Sequence, residues 1–255
     1  MNEVLLSAHQ LTKRFGGLVA VNNVSIELCR DHIHAVIGPN GAGKSTLANL
    51  LSGDLAASSG TVMLGACDVT SWTPEQISRQ GLARSYQKSN IFMPFSVWEN
   101  IRLAAQSREQ HAARWFRRAE SFASINARAE KALEMTGLEA RRDRFAGAIS
   151  HGEQRQLEIA MTLATEPEVV LLDEPLAGMG VAEAERMVEL LMRIKRGYAM
   201  LLVEHDMDAV FTLADRLTVM VNGLVIASGA PLEIRADAAV QAAYLGEEEP
   251  WATSF

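Results

Sequence analysis

Near its start, the chain alternates apolar and polar positions over two runs, which predicts two half-exposed strands of an antiparallel layer. These runs are Val4–His9 and Val19–Leu28. Ile33–Ile37 is more continuously apolar and leads directly into Gly38, as a buried strand that feeds a loop does. The pattern then predicts a helix that begins within Thr46–Leu51 and, after a break at residues 58–60, a short strand at Thr61–Leu64.

The middle of the chain, from about residue 97 to residue 146, is rich in Ala, Arg, Glu and Gln and poor in β-branched residues. This composition predicts several helices, and we expect them to form an inserted helical lobe. The lobe is the most basic part of the chain, and a solvated helix surface accounts for its charge. Its charge comes largely from Arg114, Arg117, Arg118, Arg128, Arg141, Arg142 and Arg144.

After the helical lobe, predicted strands and helices alternate, which indicates a mainly parallel α/β sheet. The predicted helices are Ser150–Thr165 and Ala182–Lys195, and the predicted buried strands are Val169–Leu172 and Met200–Val203. Asn222-Gly223 lies between the apolar runs Leu217–Val221 and Val225–Ala227 and predicts a β-hairpin. From Glu247 onward the sequence is acidic, and we expect a mobile tail.

The composition indicates a globular protein of a reducing compartment. The 255 residues are 48% hydrophobic and 22% charged, and the net charge of −7 argues against binding nucleic acid through a broad basic surface. The two cysteines, Cys29 and Cys67, have no metal-type spacing. No run approaches the ~18 consecutive apolar residues of a transmembrane helix, and residues 1–4 show no signal-peptide pattern. We therefore expect any role at a membrane to be exerted through partners.

Residues 38–46 form a phosphate-loop motif between a predicted strand and a predicted helix, which is the context that the motif requires. Glycines let the backbone surround phosphate oxygens, and the helix N-terminus adds a positive dipole. We expect Lys44 to contact the β- and γ-phosphates and Ser45 to bind Mg²⁺. The other residues expected to contact the nucleotide are Asn40, Gly41, Ala42, Gly43 and Thr46. The alternative is a Gly-rich turn that ends in Lys-Ser by chance.

Two further strand ends carry candidate catalytic side chains. Asp173 follows a predicted buried strand and is placed to bind Mg²⁺, while Glu174 is placed to orient or deprotonate an attacking water. An acidic pair after a strand is also a common helix cap. His205 follows the next predicted core strand and is a candidate for a hydrogen bond to the γ-phosphate or to the attacking water, although a structural histidine is the alternative.

In this order, the motifs resemble those of the ATP-binding subunits of ABC transporters, over nearly the whole chain. Residues 38–46 resemble Walker A, residues 169–174 resemble Walker B with its catalytic glutamate, and His205 resembles the switch histidine. Gln87 resembles the Q-loop glutamine, which in the family contacts Mg²⁺ and the attacking water and senses the membrane partner. Phe15 resembles the aromatic residue that stacks on adenine, with an ordinary core phenylalanine as the alternative.

The segment 149–154, Ile-Ser-His-Gly-Glu-Gln, resembles the family signature, usually Leu-Ser-Gly-Gly-Gln. The resemblance implies that Ser150, Gly152 and Gln154 contact a nucleotide held by the other subunit of a dimer. ATP would then join two subunits, and hydrolysis would release them. A plain helix N-cap at Ser150, with Glu153 as its capping-box partner, is compatible with that role.

The signature variant is similar to that of ATPases from branched-chain amino acid importers and related urea importers. The segments 174–179 and 243–247 and the long helical insert indicate the same subfamily. Two departures from the wider family are evident. Residues 178–180 lack the usual D-loop aspartate, and Asp31 replaces a usual glycine before the Walker A strand.

The resemblance implies an α/β fold with a P-loop NTPase core and a mainly parallel sheet, an antiparallel β subdomain and an inserted α-helical subdomain. Residues 1–255 would form a single ATPase domain. Within it, residues 1–32 and 60–70 would supply the antiparallel layer, about 97–160 the helical subdomain, and 240–255 a C-terminal tail.

The implied function is that of an Mg-dependent ATPase that powers import of a small polar solute, foremost branched-chain amino acids. The implied partners are a second ATPase subunit, identical or paralogous, separate transmembrane permease subunits and, indirectly, a solute-binding protein, with no nucleic acid. The chain would lie at the cytoplasmic face of the membrane. A urea importer, a lipid or polysaccharide exporter and a non-transport ABC ATPase are the alternatives, and retention of Glu174 and His205 argues against a regulator with little turnover.

Overall fold

Two β-sheets organise the computed structural model, which describes residues 3–86, 90–107 and 122–244. Its strands are β1 (Val4–Phe15), β2 (Leu18–Cys29), β3 (His32–Ile37), β4 (Ser59–Leu64), β5 (Cys67–Asp68), β6 (Leu82–Ser85), β7 (Val169–Asp173), β8 (Ala199–Val203), β9 (Arg216–Val221) and β10 (Leu224–Gly229). Within the described ranges, β2-β1-β4-β5 form an antiparallel sheet, and β10-β9-β3-β8-β7-β6 form a second sheet. The second sheet is parallel except for its edge strand β10.

The helices cover the second sheet. They are α1 (Lys44–Leu51), α2 (Pro74–Gln80), α3 (Val97–Gln106), α4 (Ala123–Thr136), α5 (His151–Leu163), α6 (Val181–Ile194), α7 (Met207–Leu213), α8 (Pro231–Ala236) and α9 (Ala238–Tyr244), with two short 3₁₀ turns at 139–141 and 146–148. Since a parallel sheet is covered on both faces, its central strands are mainly apolar: β7 and β8 are buried along their whole length.

Two hydrophobic clusters lie on opposite faces of the parallel sheet. On one face, Ile33 and Leu172 join a cluster that includes Ile101 of α3, Leu133 of α4 and Leu157 of α5. On the other face, alternate strand residues pack with the apolar residues of α1 and of the antiparallel sheet. The period-two alternation of the strands thus divides the core between the helices and the antiparallel layer.

The expected fold class is confirmed, since the structure combines a parallel core sheet, an antiparallel β layer and a helical group built from α3, α4 and α5. The sequence did not predict α2, β6 or α7, and β1 runs on to Phe15 instead of ending at His9. A signal for α2 was present, because Pro74 follows Thr73, whose side chain forms a capping box with Gln76. The acidic tail from Glu247 onward lies outside the described residues.

The turn between β2 and β3 shows how Asp31 can occupy a position where the resembled family usually has glycine. This residue has a φ of 64°, in the left-handed region that favours glycine. Its carboxylate accepts a hydrogen bond from the backbone N–H of Gly197, and its own N–H donates to the carbonyl of Tyr198. These bonds compensate for the backbone strain at a non-glycine residue.

Among the residues that the structure describes, none of the helices combines the length and apolar character that crossing a bilayer would take.

The imidazole of His34, on strand β3 of the parallel sheet, is a buried polar group. Its Nδ1 lies 2.9 Å from the carbonyl oxygen of Glu27, and its Nε2 lies 2.8 Å from the Thr218 hydroxyl oxygen. A carbonyl only accepts, so Nδ1 carries the proton and Thr218 donates to Nε2. This neutral tautomer satisfies both ring nitrogens, and burial lowers the pKa of His34 to about 4.

This burial predicts a pH dependence of stability. The unfolded chain protonates His34 near the ordinary pKa of about 6.5, whereas the folded protein does so only near pH 4. The stability that comes from burying His34 in its neutral form is therefore fully present above about pH 6.5. It is lost as the pH falls towards 4. Between about pH 7.5 and about pH 5, we expect the unfolding free energy of the wild type to fall by about 2 kcal/mol more than that of His34→Gln.

Urea unfolding at both pH values measures this difference, with His9→Gln, at an exposed histidine, as the matched control. An identical pH dependence in His34→Gln and the wild type would contradict the assignment.

Candidate nucleotide-binding site

The loop between β3 and α1 is shaped by close contact with the start of β2. Gly43 caps α1 with a φ of 102°, and a Cβ atom there would lie 2.3 Å from the carbonyl oxygen of Ala20. A side chain at this position would therefore force the loop and β2 apart. The loop reaches its position because residue 43 is glycine.

Lys44 is the first residue of α1, and its side chain folds back over the loop. The residue is only 8% exposed, and its Nζ donates to the carbonyl oxygens of Gly38 at 2.5 Å and Pro39 at 3.0 Å. A buried ammonium next to a helix N-terminus creates a strongly positive local field. The loop therefore offers a site for an anion. Phosphate oxygens could replace the two backbone carbonyls as hydrogen-bond acceptors of the Lys44 ammonium.

A cleft of about 420 Å³ opens over this loop and gathers most of the residues predicted from sequence. Its lining includes Phe15, Asn40, Gly41, Ala42, Gly43, Lys44, Ser45, Thr46 and Glu174, together with Leu18, Val19, Ala20, Asn222 and Gly223. Phe15 is 49% exposed, so the alternative of an ordinary core phenylalanine is wrong. An exposed ring at the mouth of the cleft can stack on a planar base.

The hairpin between β9 and β10 forms one wall of the cleft. Asn222 and Gly223 both have positive φ values, 49° and 79°, as the tight turn requires. The Gly223 N–H donates to the Ala42 carbonyl at 2.9 Å, and the Gly223 carbonyl accepts from the Asn22 N–H at 2.8 Å. The hairpin thus ties the phosphate loop to β2, a role that its sequence signal did not reveal.

Glu174 follows β7 directly and lines the cleft. Its φ of 50° is unusual for a residue with a side chain, and its N–H donates to the Val203 carbonyl at 2.8 Å. The left-handed backbone turns Glu174 out of the strand direction and towards the cleft. The helix-cap alternative is wrong, because α6 begins only at Val181 with Gly180 as its N-cap.

Asp173, the last residue of β7, lies beside the cleft in a buried ion pair. Its Oδ2 accepts from Nη2 of Arg84 at 2.9 Å, and the two side chains are 8% and 6% exposed. Arg84 comes from the neighbouring strand β6. The sequence gave no indication of this partner.

The segment after β8 combines one buried and one exposed titratable residue. Glu204 is buried, and its carboxylate accepts from the N–H groups of Leu176 at 2.8 Å and His205 at 3.1 Å. Burial raises the pKa of Glu204 above its ordinary value. The His205 side chain is 62% exposed at the same edge of the sheet, so it is accessible to a ligand.

The signature residues lie apart from the cleft, at the start of α5. Ser150 is the N-cap of this helix in a capping box with Glu153, as expected. Its hydroxyl also donates to Oε1 of Glu183 at 3.3 Å, and the same carboxylate lies against Gly152. Gln154 donates to the Ala146 carbonyl at 3.0 Å. In the described part of the chain, none of the three predicted signature residues contributes to the cleft lining, and Gln87 lies outside the described residues.

The side chains at the cleft fit a magnesium nucleotide. Lys44 and Ser45 line the cleft and could serve as a cation for phosphate and a hydroxyl ligand for the metal. Asp173 is outside the cleft lining but directly precedes Glu174, and its carboxylate could add a second oxygen ligand. Among the described residues, no group of three or more His, Cys, Asp or Glu side chains could hold a metal alone. A sparse set of hard oxygen ligands suits Mg²⁺, which completes its coordination with water and phosphate oxygens.

Two family models match the chain. One, described as ABC transporter, matches residues 21–177, and the other, described as branched-chain amino acid ATP-binding cassette transporter, matches residues 225–250. The high-affinity branched-chain amino acid transport ATP-binding protein LivG of Salmonella typhimurium is 40% identical and covers 97% of this chain and 100% of its own length. The corresponding protein BraF of Pseudomonas aeruginosa is 35% identical with the same coverage.

Solved structures agree with the sequence relatives. The ADP conformation of MJ1267, an ATP-binding cassette of an ABC transporter, superposes with a TM-score of 0.86 at 30% identity and covers 96% of this chain and 99% of its own. A nucleotide-free ATP-binding cassette from an ABC transporter gives a TM-score of 0.84, also at 30% identity, and covers 96% of this chain and 100% of its own. The chain therefore belongs to the ABC transporter family, as an ATP-binding and ATP-hydrolysing subunit.

Proposed function

We propose that this subunit binds Mg-ATP in the cleft over the phosphate loop and uses its hydrolysis to power uptake of branched-chain amino acids through separate membrane subunits. The observation that carries the proposal is the single cleft that Lys44 and Glu174 line together. The cleft combines the buried Lys44 ammonium, which can bind phosphates, with the Glu174 carboxylate, which can act on the attacking water. The choice of solute is supported by the LivG and BraF relatives and by the match at residues 225–250.

In the proposed reaction, a water oxygen attacks the γ-phosphorus in line with the bond to the β,γ-bridging oxygen, and ADP leaves with that oxygen. Lys44 neutralises phosphate charge, and Glu174 orients the water and accepts its proton. Ser45 and Asp173 would hold Mg²⁺, which would supply positive charge to offset the negative charge that develops on the phosphates. His205 would hydrogen-bond the γ-phosphate, Gln87 would contact the metal and the water, and Phe15 would stack on the base.

The separation of the signature residues from the cleft supports a site completed by a second subunit. Ser150 and Gly152 lie at the N-terminus of α5, where backbone N–H groups and the helix dipole favour a phosphate. In a face-to-face dimer they would reach the γ-phosphate held by the partner. The Ser150 hydroxyl would then exchange its contact with Glu183 for one with phosphate. The partner is a second copy of this chain or a paralogous ATPase subunit.

A groove beside β6 is the proposed docking site for the permease subunit. It has a volume of about 460 Å³ between β6, α3 and α5, and its lining includes Arg84, Tyr86, Asn90, Ala104 and Met161. The adjoining segment exposes Phe92, Met93 and Phe95, and exposed apolar side chains of this size are typical of protein interfaces. Docking of a permease subunit here would hold this chain at the cytoplasmic face of the membrane.

Uptake by cells that lack the chain tests the choice of solute. We expect such cells to lose ATP-dependent uptake of labelled leucine and to keep that of labelled urea, and the wild-type chain to restore leucine uptake. Loss of urea uptake with unchanged leucine uptake would overturn the choice.

Lys44→Ala should weaken ATP binding by at least about tenfold, because a charge-assisted contact to the phosphates is lost. Titration with a fluorescent ATP analogue measures the affinity. Lys131→Ala, a lysine remote from the cleft, is the control and should bind as the wild type does. An unchanged affinity of Lys44→Ala would contradict the role of the loop.

Glu174→Gln should keep ATP binding and lose turnover by about 10²- to 10⁴-fold, because the amide cannot accept the proton of the attacking water. An ATP-bound dimer should accumulate, which size-exclusion chromatography in the presence of Mg-ATP detects. Glu185→Gln, an exposed glutamate of α6, is the matched control. Undiminished hydrolysis by Glu174→Gln would rule out the assignment of the base.

A further inference from the structure

Arg84 connects three elements around the proposed metal ligand. It lies on β6, and its Nη2 donates to Oδ2 of Asp173 at the end of β7. Its Nη1 is directed to the last turn of α1 and the residues after it, where it donates to Asn49 Oδ1 at 2.7 Å, Ser52 Oγ at 2.9 Å and Asp54 Oδ2 at 3.1 Å. One guanidinium group therefore holds Asp173 and the α1 segment together.

The contacts of Arg84 are not those expected of a residue kept for stability alone. A buried ion pair contributes little net stability, because desolvation offsets the Coulomb attraction. In addition, Nε of Arg84 is buried without a hydrogen-bond partner, although nearly all buried polar atoms have one. These costs point to a functional reason for keeping an arginine at this position.

The partners of the two terminal nitrogens, Nη1 and Nη2, suggest what the function of Arg84 is. On one side, Nη2 of Arg84 donates to Oδ2 of the Asp173 carboxylate. On the other side, Nη1 of Arg84 donates to Asn49 and Ser52 at the end of α1. This helix begins at Lys44 and carries Ser45, the other proposed magnesium ligand, in its first turn. Hydrogen bonds from outside the ligand set commonly fix the orientation of metal-binding carboxylates.

We propose that Arg84 is a positioning residue for Mg²⁺: it holds the Asp173 carboxylate in a fixed place relative to α1, so that this carboxylate and the Ser45 hydroxyl can bind the same ion. The proposal rests on the proposed function, in which Asp173 and Ser45 are metal ligands. It adds a residue that touches neither the metal nor the nucleotide. Lysine cannot replace it fully, because a single ammonium lacks the planar fork that reaches both sides.

Arg84→Met and Arg84→Lys test the proposal. Binding of a fluorescent ATP analogue is titrated with Mg²⁺ after removal of divalent cations with EDTA, and the Mg²⁺ concentration for half-maximal ATPase rate is measured in parallel. Without Mg²⁺, we expect both variants to bind the analogue within about twofold of the wild type. We expect the half-saturating Mg²⁺ concentration to rise about 10- to 100-fold in Arg84→Met and less in Arg84→Lys.

Asp54→Asn is the matched control, because it removes the other carboxylate partner of Arg84 and leaves the bond to Asp173 intact. We expect it to keep the wild-type Mg²⁺ dependence. An unchanged Mg²⁺ dependence in Arg84→Met would overturn the proposal, and so would an equal rise in Arg84→Met and Asp54→Asn, since that indicates general loosening of the segment after α1. If Arg84→Met does not fold, Arg84→Lys decides by the same criteria.

Asp173→Asn separates this proposal from the proposed function. If Asp173→Asn raises the half-saturating Mg²⁺ concentration and Arg84→Met does not, Asp173 is a metal ligand and the positioning role is wrong. If Asp173→Asn leaves the Mg²⁺ dependence unchanged, the assignment of the metal ligand itself fails.

Discussion

Strand β8 is hydrogen-bonded in parallel to β3 on one side and to β7 on the other, and this pairing determines where the chemistry lies. Parallel strands end at the same edge of a sheet, so the phosphate loop after β3, Glu174 after β7 and His205 after β8 come together there. The pairing forms because all three strands carry mainly apolar residues on both faces. Helices cover one face, and α1 with the antiparallel layer covers the other. The hydrophobic core thus fixes the arrangement of the polar site.

The second requirement is close backbone contact around Ala20. The loop at Gly43 and the hairpin at Gly223 both approach the Ala20 carbonyl so closely that a Cβ atom at either glycine would overlap it. These contacts join the antiparallel sheet to the parallel sheet and build the cleft between them. Because Phe15 lies at the end of β1 in the same layer, the contacts also determine where a base can stack.

Much of this could be predicted from the sequence, because the relevant signals are local. The phosphate loop, the apolar strands followed by Asp173 and His205, and the N-cap at Ser150 each depend on short stretches of chain. The wall formed by Asn222 and Gly223 and the ion pair between Arg84 and Asp173 could not be predicted, because they join residues far apart in the chain. Strand β6 was missed as well, since its four residues include a buried arginine whose partners become apparent only in the folded sheet. The roles of the individual site residues, and of Gln87 above all, stay predictions.

The central claim is that the cleft of one subunit is completed by Ser150 of another. Mixing the variants Lys44→Ala and Ser150→Arg tests it most directly, because each variant alone lacks one half of every site. A mixed dimer contains one site with an intact Lys44 from one chain and an intact Ser150 from the other. The account predicts that each variant alone is nearly inactive and that the mixture regains ATPase activity. A mixture no more active than the separate variants would contradict the two-subunit site.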